Sequence, residues 1–311
     1  MNETLAGVVT RVTGASYIVE TADGLKVRCR TVPSTASENE GSNLVAVGDR
    51  VEFRLKASET EMAEGVISRV EARRTALVRR REVRRNRSKE KEQVIVANID
   101  QLVLITSFDD PPFNSRLVDR YLVFAESEKL PLLIVVNKID LDDEGMVEDD
   151  LEVYRSLGCN ICLVSAEDGR GINELRELLR DRVSAFSGHS GVGKSTIINL
   201  LVGREELRTA ETSCKTGKGV HTTTSSAMFP LPDGGYVIDT PGIREFNLSG
   251  ITRENLRFYY TEFLRFMPEC AFSSCTHTVE PGCAVIAAVE SEYIAPERYE
   301  SYLALLDSLD E

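Results

Sequence analysis

The chain has 311 residues, of which 42% are hydrophobic and 28% are charged, a composition typical of a folded protein with two or three domains. It has no apolar run of the ~18 to 20 residues that span a membrane, and its N-terminus lacks a secretory-signal pattern. The net charge of −13 argues against general binding to nucleic acids. We therefore expect a cytoplasmic protein that contacts no membrane.

The first 72 residues predict a small β-barrel, because short segments of β-forming residues alternate with turns such as Ala22-Asp23-Gly24. Five strands closed in this way are typical of an OB-fold, which often binds nucleic acids. The polar stretch Pro33–Asn43 is predicted to be a mobile loop. The predicted strands are residues 6–12, 16–20, 25–30, 49–54 and 65–70.

Basic residues are concentrated after this barrel, in the predicted linker of residues 73–93. Residues 69–91 contain eleven Arg or Lys and three Glu, a local net charge of +8 that leaves −21 for the rest of the chain. Such a segment is either a solvated linker or a contact for the phosphates of one polyanion. The sequence leaves both interpretations open.

Residues 94–248 alternate between apolar strands and helices, which predicts an α/β domain with a parallel sheet covered on both faces. The predicted strands are residues 94–98, 101–106, 130–136, 161–164, 182–186 and 235–238. The predicted helices are residues 115–127, 146–157 and 172–179, with a further helix that begins near residue 196.

A phosphate-binding loop follows the strand at 182–186 and matches G-x-x-x-x-G-K-[ST]. The glycines let backbone N–H groups surround a β-phosphate, Lys194 supplies charge to the β- and γ-phosphates, and Ser195 offers a hydroxyl to Mg²⁺. The predicted nucleotide-binding residues of this loop are Gly188, His189, Ser190, Gly191, Val192, Gly193, Lys194, Ser195 and Thr196.

A base-reading motif, Asn137-Lys138-Ile139-Asp140, follows an earlier apolar strand. Asp140 can accept hydrogen bonds from the N1–H and amino groups of guanine, which adenine does not offer. Asn137 can tie this segment to the phosphate loop, and Lys138 can lie along the base plane. The backbone N–H groups of Ser165-Ala166 can meet guanine O6. Because this motif precedes the phosphate loop, whereas in most GTPases it follows, the sequence predicts a circularly permuted GTPase.

Two further segments predict the γ-phosphate and Mg²⁺ contacts. In Asp239-Thr240-Pro241-Gly242, Asp239 can hold Mg²⁺ through water and the Gly242 N–H can sense the γ-phosphate. The segment Gly217–Thr224 lies where a first switch belongs, and we predict that Thr223 ligates Mg²⁺.

The position after Gly242 is Ile243, where many GTPases have a glutamine that orients the attacking water. Isoleucine cannot orient water, so catalysis needs another polar group or a partner. His221 is the predicted internal group. An alternative is that this histidine only contacts RNA or packs within the switch.

Three cysteines and one histidine lie within fourteen residues near the C-terminus, in a loop too short to form its own core. Four such ligands suit one structural Zn²⁺ per chain and leave no position for water. With predicted helices at residues 283–289 and 296–309, they define a zinc-binding and helical domain over residues 249–311. The predicted ligands are Cys270, Cys275, His277 and Cys283. The other cysteines, predicted to be buried structural thiols, are Cys29, Cys159, Cys162 and Cys214.

This order of parts resembles the bacterial small-ribosomal-subunit-dependent GTPases of the RsgA (YjeQ) family. The resemblance covers nearly the whole chain, including Val47–Val51 in the barrel, Pro111-Pro112-Phe113 and Asp119–Leu122. It implies an OB-fold, a circularly permuted GTPase domain and a zinc domain. It also implies late maturation of the small ribosomal subunit, contacts with 16S rRNA and GTP hydrolysis stimulated by the subunit. The family's proposed catalytic histidine falls on His221, and its metal ligands fall on the four residues named above.

The chain departs from the family's pattern at two places. Pro33–Asn43 is acidic and polar where the family often has a basic loop, and His189 replaces the more common Gln or Asn. We expect a monomer whose partners are GTP or GDP, the small ribosomal subunit and its 16S rRNA. A second hypothesis is an RNA-binding scaffold in which the nucleotide controls only docking. The guanine motif disfavours a metabolite kinase.

Overall fold

A computed structural model describes residues 4–39, 42–56, 62–79, 93–203, 226–239, 248 and 250–309. Within these residues it contains thirteen strands and six α-helices. The strands are β1 Thr4–Thr13, β2 Ser16–Glu20, β3 Lys26–Ser37, β4 Arg50–Lys56, β5 Glu64–Val70, β6 Ala76–Arg79, β7 Gln93–Ala97, β8 Gln101–Ser107, β9 Leu132–Asn137, β10 Asn160–Leu163, β11 Val183–Ser187, β12 Ala227–Pro230 and β13 Tyr236–Asp239. The helices are α1 Ser115–Glu128, α2 Val147–Ser156, α3 Ile172–Leu179, α4 Lys194–Val202, α5 Ala284–Glu290 and α6 Pro296–Ser308.

The chain folds into two compact units, each assembled from three segments. The first comprises Met1–Gln101, Ile172–Ser187 and Lys194–Asn247. The second comprises Leu102–Gly171, Gly188–Gly193 and Leu248–Glu311. None of the described helices has the length and apolar character needed to cross a membrane.

In the first unit, β1 to β5 close into a barrel. β1 pairs with β2 and β4, β3 pairs with β2 and in parallel with β5, and β4 pairs with β5. Alternate side chains point inward, so Val19, Val27, Phe53 and Ile67 are fully buried in one apolar core. The predicted five-stranded OB-type barrel is confirmed.

The prediction of a mobile loop at Pro33–Asn43 was wrong for residues 33–37, which form the end of a strand. Strand β3 continues to Ser37 and still pairs with β5. The Thr35 hydroxyl donates to the Ile67 carbonyl (2.7 Å), and the Asn39 carboxamide donates to a backbone carbonyl just beyond β5 (2.8 Å). Polar side chains satisfy backbone groups here, so the apolar alternation that reveals a strand is missing.

The predicted basic linker begins with packed residues. Arg73 is only 6% exposed and makes a bidentate ion pair with the fully buried Asp49, at 2.7 and 2.8 Å. After it, β6 pairs antiparallel with β7 in a separate two-stranded sheet. Arg73 is therefore neither a solvated side chain nor a free contact for a polyanion, while residues 80–92 lie outside the described part of the chain.

The remaining strands of the first unit adjoin the barrel. β11 and β13 are parallel, β12 is antiparallel to β13, and β12 also pairs with β1 through Arg11 and Ala227. The sequence analysis did not predict β12, which has only four residues and ends in proline. Helices α3 and α4 belong to the same unit.

The second unit contains the parallel strands β8, β9 and β10, with α1 and α2 between them in the chain. β8 and β9 are buried at every residue, as expected for strands covered on both faces. Residues 250–309 belong to the same unit and combine short 3-10 helices with α5 and α6. Their core includes the rings of Tyr260, Phe263 and Tyr302, whose centroids lie 5.0 to 5.2 Å apart.

Candidate functional site

The phosphate loop follows β11 and depends on its glycines. Gly188 has φ 155° and Gly193 has φ 87°. A Cβ at Gly188 would lie 2.3 Å from the Ile105 carbonyl oxygen, and one at Gly193 would lie 2.3 Å from Asn137 Nδ2. Both positions therefore require glycine. His189 and Ser190 are exposed at the tip of the loop, and Val192 is buried.

Helix α4 begins at Lys194, directly after the loop. Within the first unit, the Lys194 ammonium contacts the Asp239 carboxylate at the end of β13, and both side chains are partly exposed. Ser195 and Thr196 are exposed in the first turn of α4. A hydroxyl and a carboxylate are oxygen ligands of the kind that Mg²⁺ prefers, so Ser195 and Asp239 fit the predicted metal in chemistry.

Asn137 joins three loops of the second unit. Its side chain is buried, and its Nδ2 donates to the Val192 carbonyl in the phosphate loop at 2.8 Å. Its Oδ1 accepts from the Ala166 N–H at 3.0 Å. The base-reading segment, the Ser165-Ala166 segment and the phosphate loop are thus held by one carboxamide, although Asn137 precedes Val192 in the chain.

Asp140 is oriented by the Ser165 hydroxyl, which donates to its Oδ1 at 2.6 Å. Its Oδ2 has no partner among the described residues and remains available to a base. The Ser165 N–H donates to the Arg170 carbonyl, and the Ala166 N–H donates to Asn137. Each N–H group is therefore already used. For the predicted contact with guanine O6, one of them must release its present acceptor, the Arg170 carbonyl or the Asn137 side chain.

Lys138 has a neighbour that the sequence analysis did not predict. It adopts the left-handed conformation (φ 65°), and its ammonium contacts the Asp110 carbonyl and lies 3.8 Å from the Asp110 carboxylate. The Ser107 hydroxyl fixes the next residue by donating to the Pro111 carbonyl at 2.6 Å. The Pro111-Pro112-Phe113 segment thus begins directly after Asp110, the residue that contacts Lys138.

Three predicted site residues lie outside the described part of the chain. They are His221, Thr223 and Gly242. Their roles in water activation, Mg²⁺ binding and γ-phosphate sensing remain predictions. The same holds for the placement of Ile243 and Cys214.

The four predicted metal ligands come together in the second unit. Their ligand atoms all lie within 4.8 Å of one another. His277 Nδ1 lies 3.7 Å from Cys270 Sγ and 3.3 Å from Cys283 Sγ. Bonds of 2.0 to 2.3 Å to a tetrahedral zinc place ligand atoms about 3.3 to 3.8 Å apart. Cys270, Cys275, His277 and Cys283 therefore fit Zn²⁺ in type and spacing, and Nδ1 faces the thiols.

The loop between the ligands forms no helix or strand, and polar contacts hold it. Glu280 accepts the N–H and hydroxyl of Thr276, each at 2.6 Å, and the N–H of Thr278 at 2.9 Å. Burial alone would raise the pKa of Glu280, but these hydrogen bonds lower it well below its usual range. Tyr302 donates to the Thr276 carbonyl at 2.6 Å, and Tyr299 donates to the His277 carbonyl at 2.8 Å. The sequence analysis did not predict these hydrogen bonds. The signal that could have indicated them is the carboxylate of Glu280, three residues after His277.

A buried ion cluster lies in the same unit. Arg298 on α6 contacts the Asp119 carboxylate on α1 and the Glu262 carboxylate, the latter at 2.7 Å. The three side chains are 4%, 2% and 10% exposed. The guanidinium also lies 4.6 Å from the Tyr260 ring centroid. The cluster gives the Asp119–Leu122 segment a structural role, because it fixes α1 to the C-terminal residues.

Of the scattered cysteines, Cys29 and Cys162 are buried, as predicted, whereas Cys159 is only half-buried. Burial raises the pKa of the Cys29 thiol to about 12 and that of the Cys159 thiol to about 11. Both thiols are therefore protonated at neutral pH, which supports a structural role.

Comparison with known proteins identifies the family to which the nucleotide motifs belong. Residues 70–249 match the family model described as RsgA GTPase. The chain is 91% identical to the small ribosomal subunit biogenesis GTPase RsgA of Chlorobaculum tepidum over the full length of both proteins. It is 40% identical to the protein of the same name from Bacteroides fragilis, over 99% of this chain and 98% of that one.

Solved structures show the same architecture. The crystal structure of YjeQ from Thermotoga maritima matches with a TM-score of 0.74 and 32% identity over 99% of both chains. YloQ, described as a circularly permuted GTPase, matches with a TM-score of 0.72 and 23% identity over 99% of this chain and 96% of that one, which supports the fold alone. The fold and the loops together define a GTP-hydrolysing enzyme with circularly permuted motifs. The chain belongs to the RsgA GTPase family.

Proposed function

We propose that this GTPase acts in the late maturation of the small ribosomal subunit, that it binds 16S rRNA, and that the subunit stimulates its hydrolysis of GTP. One structural observation carries the nucleotide part: Asn137 connects the base-reading segment to the phosphate loop in permuted order. The ribosomal part is supported by relatives at 91% and 40% identity, both named as small ribosomal subunit biogenesis GTPases. The absence of a water-orienting glutamine at Ile243 favours an enzyme that is slow until a partner acts on it.

The proposed roles follow from the chemistry of each group. Asp140 selects guanine, and the Lys194 ammonium exchanges Asp239 for the β- and γ-phosphates when nucleotide binds. Ser195 and Asp239, with Thr223, are the proposed Mg²⁺ ligands; Mg²⁺ neutralises charge that develops on the phosphates. His221 is the proposed group that acts on the attacking water.

The four C-terminal ligands, three thiolates and the imidazole of His277, are proposed to hold one structural Zn²⁺. Because all four positions are protein ligands, this site supports folding and leaves no position for a reacting water.

The test is GTP hydrolysis by the purified protein with and without isolated small ribosomal subunits. We expect slow hydrolysis alone and strong stimulation by subunits. Lys194→Ala should abolish nucleotide binding, whereas Lys129→Ala, an exposed lysine at the end of α1, should not. Retained tight GTP binding by Lys194→Ala would refute the site assignment.

The role of the subunit has its own outcomes. If GTP binds but subunits do not stimulate hydrolysis, the proposed activation is wrong and a scaffold with nucleotide-controlled docking explains the protein better. With stimulation established, His221→Ala should remove most of the stimulated rate while GTP affinity stays unchanged. An unchanged rate would mean that a group supplied by the partner, and not His221, acts on the attacking water.

A further inference from the structure

One outer wall of the barrel carries a regular array of basic side chains. Strand β5 lies between β3 and β4 there, and Val66 on β5 pairs with an arginine on each side. Two residues away, Glu64 likewise pairs with one basic residue on each neighbouring strand. All four basic side chains are exposed, and the residues between them on β3 and β4 include the inward-facing Cys29. We call these four residues the basic wall: Arg28, Arg30, Arg54 and Lys56.

The strand register sets the dimensions of the basic wall. Because neighbouring strands lie about 4.8 Å apart, the Cα atoms of Arg30 and Arg54 are about 10 Å apart across β5. Arg28 and Arg30 are two residues apart on β3, which is about 7 Å. Strand pairing on both sides fixes the array to the barrel, so only the long side chains must be ordered when a ligand binds.

The basic wall lacks the internal partners that other basic residues of the barrel have. Arg69 pairs with Glu38, Arg73 with Asp49, and Lys26 with Glu20. Among the described residues, none of the four basic-wall side chains makes a hydrogen bond or ion pair. Two carboxylates lie on this face, Glu64 within the wall and Glu52 beside it, and Glu52 lies 3.6 Å from Arg69. The four basic side chains and Glu64 therefore give the wall a local charge of about +3 on a chain of net charge −13.

We propose that the basic wall binds the phosphate backbone of RNA. This rests on the proposed function, which supplies the RNA as 16S rRNA. Guanidinium groups recognise phosphates through paired hydrogen bonds, and a fixed array of them suits successive phosphates. The one aromatic residue of these three strands, Phe53, is buried, so the wall offers no ring on which a base could stack. The contact is therefore with the backbone and independent of base sequence.

The wall is distinct from the acidic, polar stretch Pro33–Asn43 and from the basic linker of residues 73–93, for which the sequence left contact with a polyanion open. In the polar stretch, Thr35 donates to Ile67 on β5, Asn39 donates to Glu71 just beyond β5, and Glu38 is already paired with Arg69. Arg73, the first residue of the predicted linker, is buried against Asp49. The basic side chains of the wall are exposed and unpaired among the described residues, whereas Glu38 and Arg73 are each held in an ion pair.

The test is the double variant Arg30→Gln with Arg54→Gln. Affinity for isolated small ribosomal subunits and for protein-free 16S rRNA is measured at several salt concentrations. Each phosphate contact contributes about one unit to the slope of log affinity against log salt, so we expect the slope to fall by about two. Affinity at low salt should fall by about tenfold or more. The melting temperature and the basal GTP hydrolysis should stay those of the unchanged protein.

The control removes two positive charges from exposed positions outside the barrel, with Arg116→Gln on α1 and Lys129→Gln directly after it. It should leave the salt slope nearly unchanged. An unchanged slope for the wall variant, or an equal loss in the control, would overturn the proposal. Loss of binding to subunits with unchanged binding to protein-free RNA would assign the wall to an acidic protein instead. If the unchanged protein does not bind subunits, the proposed function fails, and the protein-free RNA still tests the wall.

Discussion

The barrel and the C-terminal residues 250–309 are stabilised in different ways. The barrel has one apolar core in which alternate residues of five strands meet, including Val19, Phe53 and Ile67. The C-terminal residues instead surround a few specific groups: the four proposed metal ligands, the Arg298 ion cluster and a set of buried aromatic rings. An apolar core loses stability gradually as groups are removed, whereas a metal centre or a buried charge fails when one partner is lost.

Removal of zinc should produce the largest difference in stability between the C-terminal residues and the barrel. Zinc contributes about 10 to 16 kcal/mol to the folding of small zinc domains, so chelation should unfold the loop around Cys275 and the adjoining C-terminal residues. The barrel should stay folded because its core contains no metal ligand. Hydrogen exchange with mass spectrometry measures both regions in one sample.

The metal experiment needs two checks. Elemental analysis should find one zinc per chain before chelation, and Cys275→Ser should reproduce the loss of protection without a chelator. Barrel amides such as those of β5 serve as the internal control. Full protection of residues 270–283 in metal-free protein would show that the polar contacts of Glu280 suffice, and the proposed contrast would be wrong.

Breaking the buried ion cluster should have the second largest effect. Arg298→Ala leaves Asp119 and Glu262 as buried acids without their cationic partner, and we expect a loss of about 3 to 5 kcal/mol in the C-terminal residues. Replacing all three together, with Arg298→Met, Asp119→Leu and Glu262→Leu, should restore most of the stability because no charge is left buried. Exchange protection of α6 is the measurement. A loss below about 1 kcal/mol in the alanine variant would contradict the burial argument.

The sequence predicted the elements whose signal is periodic or chemical. The five barrel strands, helices α1 to α6 and the approach of the four predicted metal ligands follow from alternation, from helical spacing and from ligand type. It failed where polar side chains satisfy the backbone: at the end of β3 up to Ser37, and at Arg73, where a residue in a basic run is buried. Those outcomes depend on partners far away in the chain, such as Asp49, that local patterns do not contain.

The same limit applies to the candidate sites. The motifs predict Asn137, Asp140 and Lys194 directly, but Asp110 beside Lys138 comes from a loop that no nucleotide motif marks. Glu280 is similar, since its four acceptor contacts exist only once the loop has closed on itself. Residues that position a functional group are set by tertiary contacts, whereas the group itself is set by chemistry visible in the sequence.

Glu280→Gln should have a smaller effect than loss of Arg298. Hydrogen bonds to a charged group contribute about 1.5 to 3 kcal/mol, and the neutral amide keeps only part of them. We expect faster zinc release to a competing chelator, with the barrel unchanged. The matched control is Glu290→Gln, which removes the same charge from an exposed position on α5. Equal release rates in both variants would show that only the net charge of the region matters.

Ile67→Val should have the smallest effect and tests the barrel side of the comparison. Ile67 is fully buried, and loss of one methylene from a core destabilises by about 0.5 to 1.5 kcal/mol. The neighbouring Val66 faces outward, so Val66→Ala should change stability by less than about 0.5 kcal/mol. Because an apolar core depends on no single group, the Ile67→Val loss, followed by exchange of barrel amides, should be the same with and without chelator. A loss that grows when zinc is removed would mean that the barrel core depends on the metal centre, and the two regions would then share their stability instead of holding it separately.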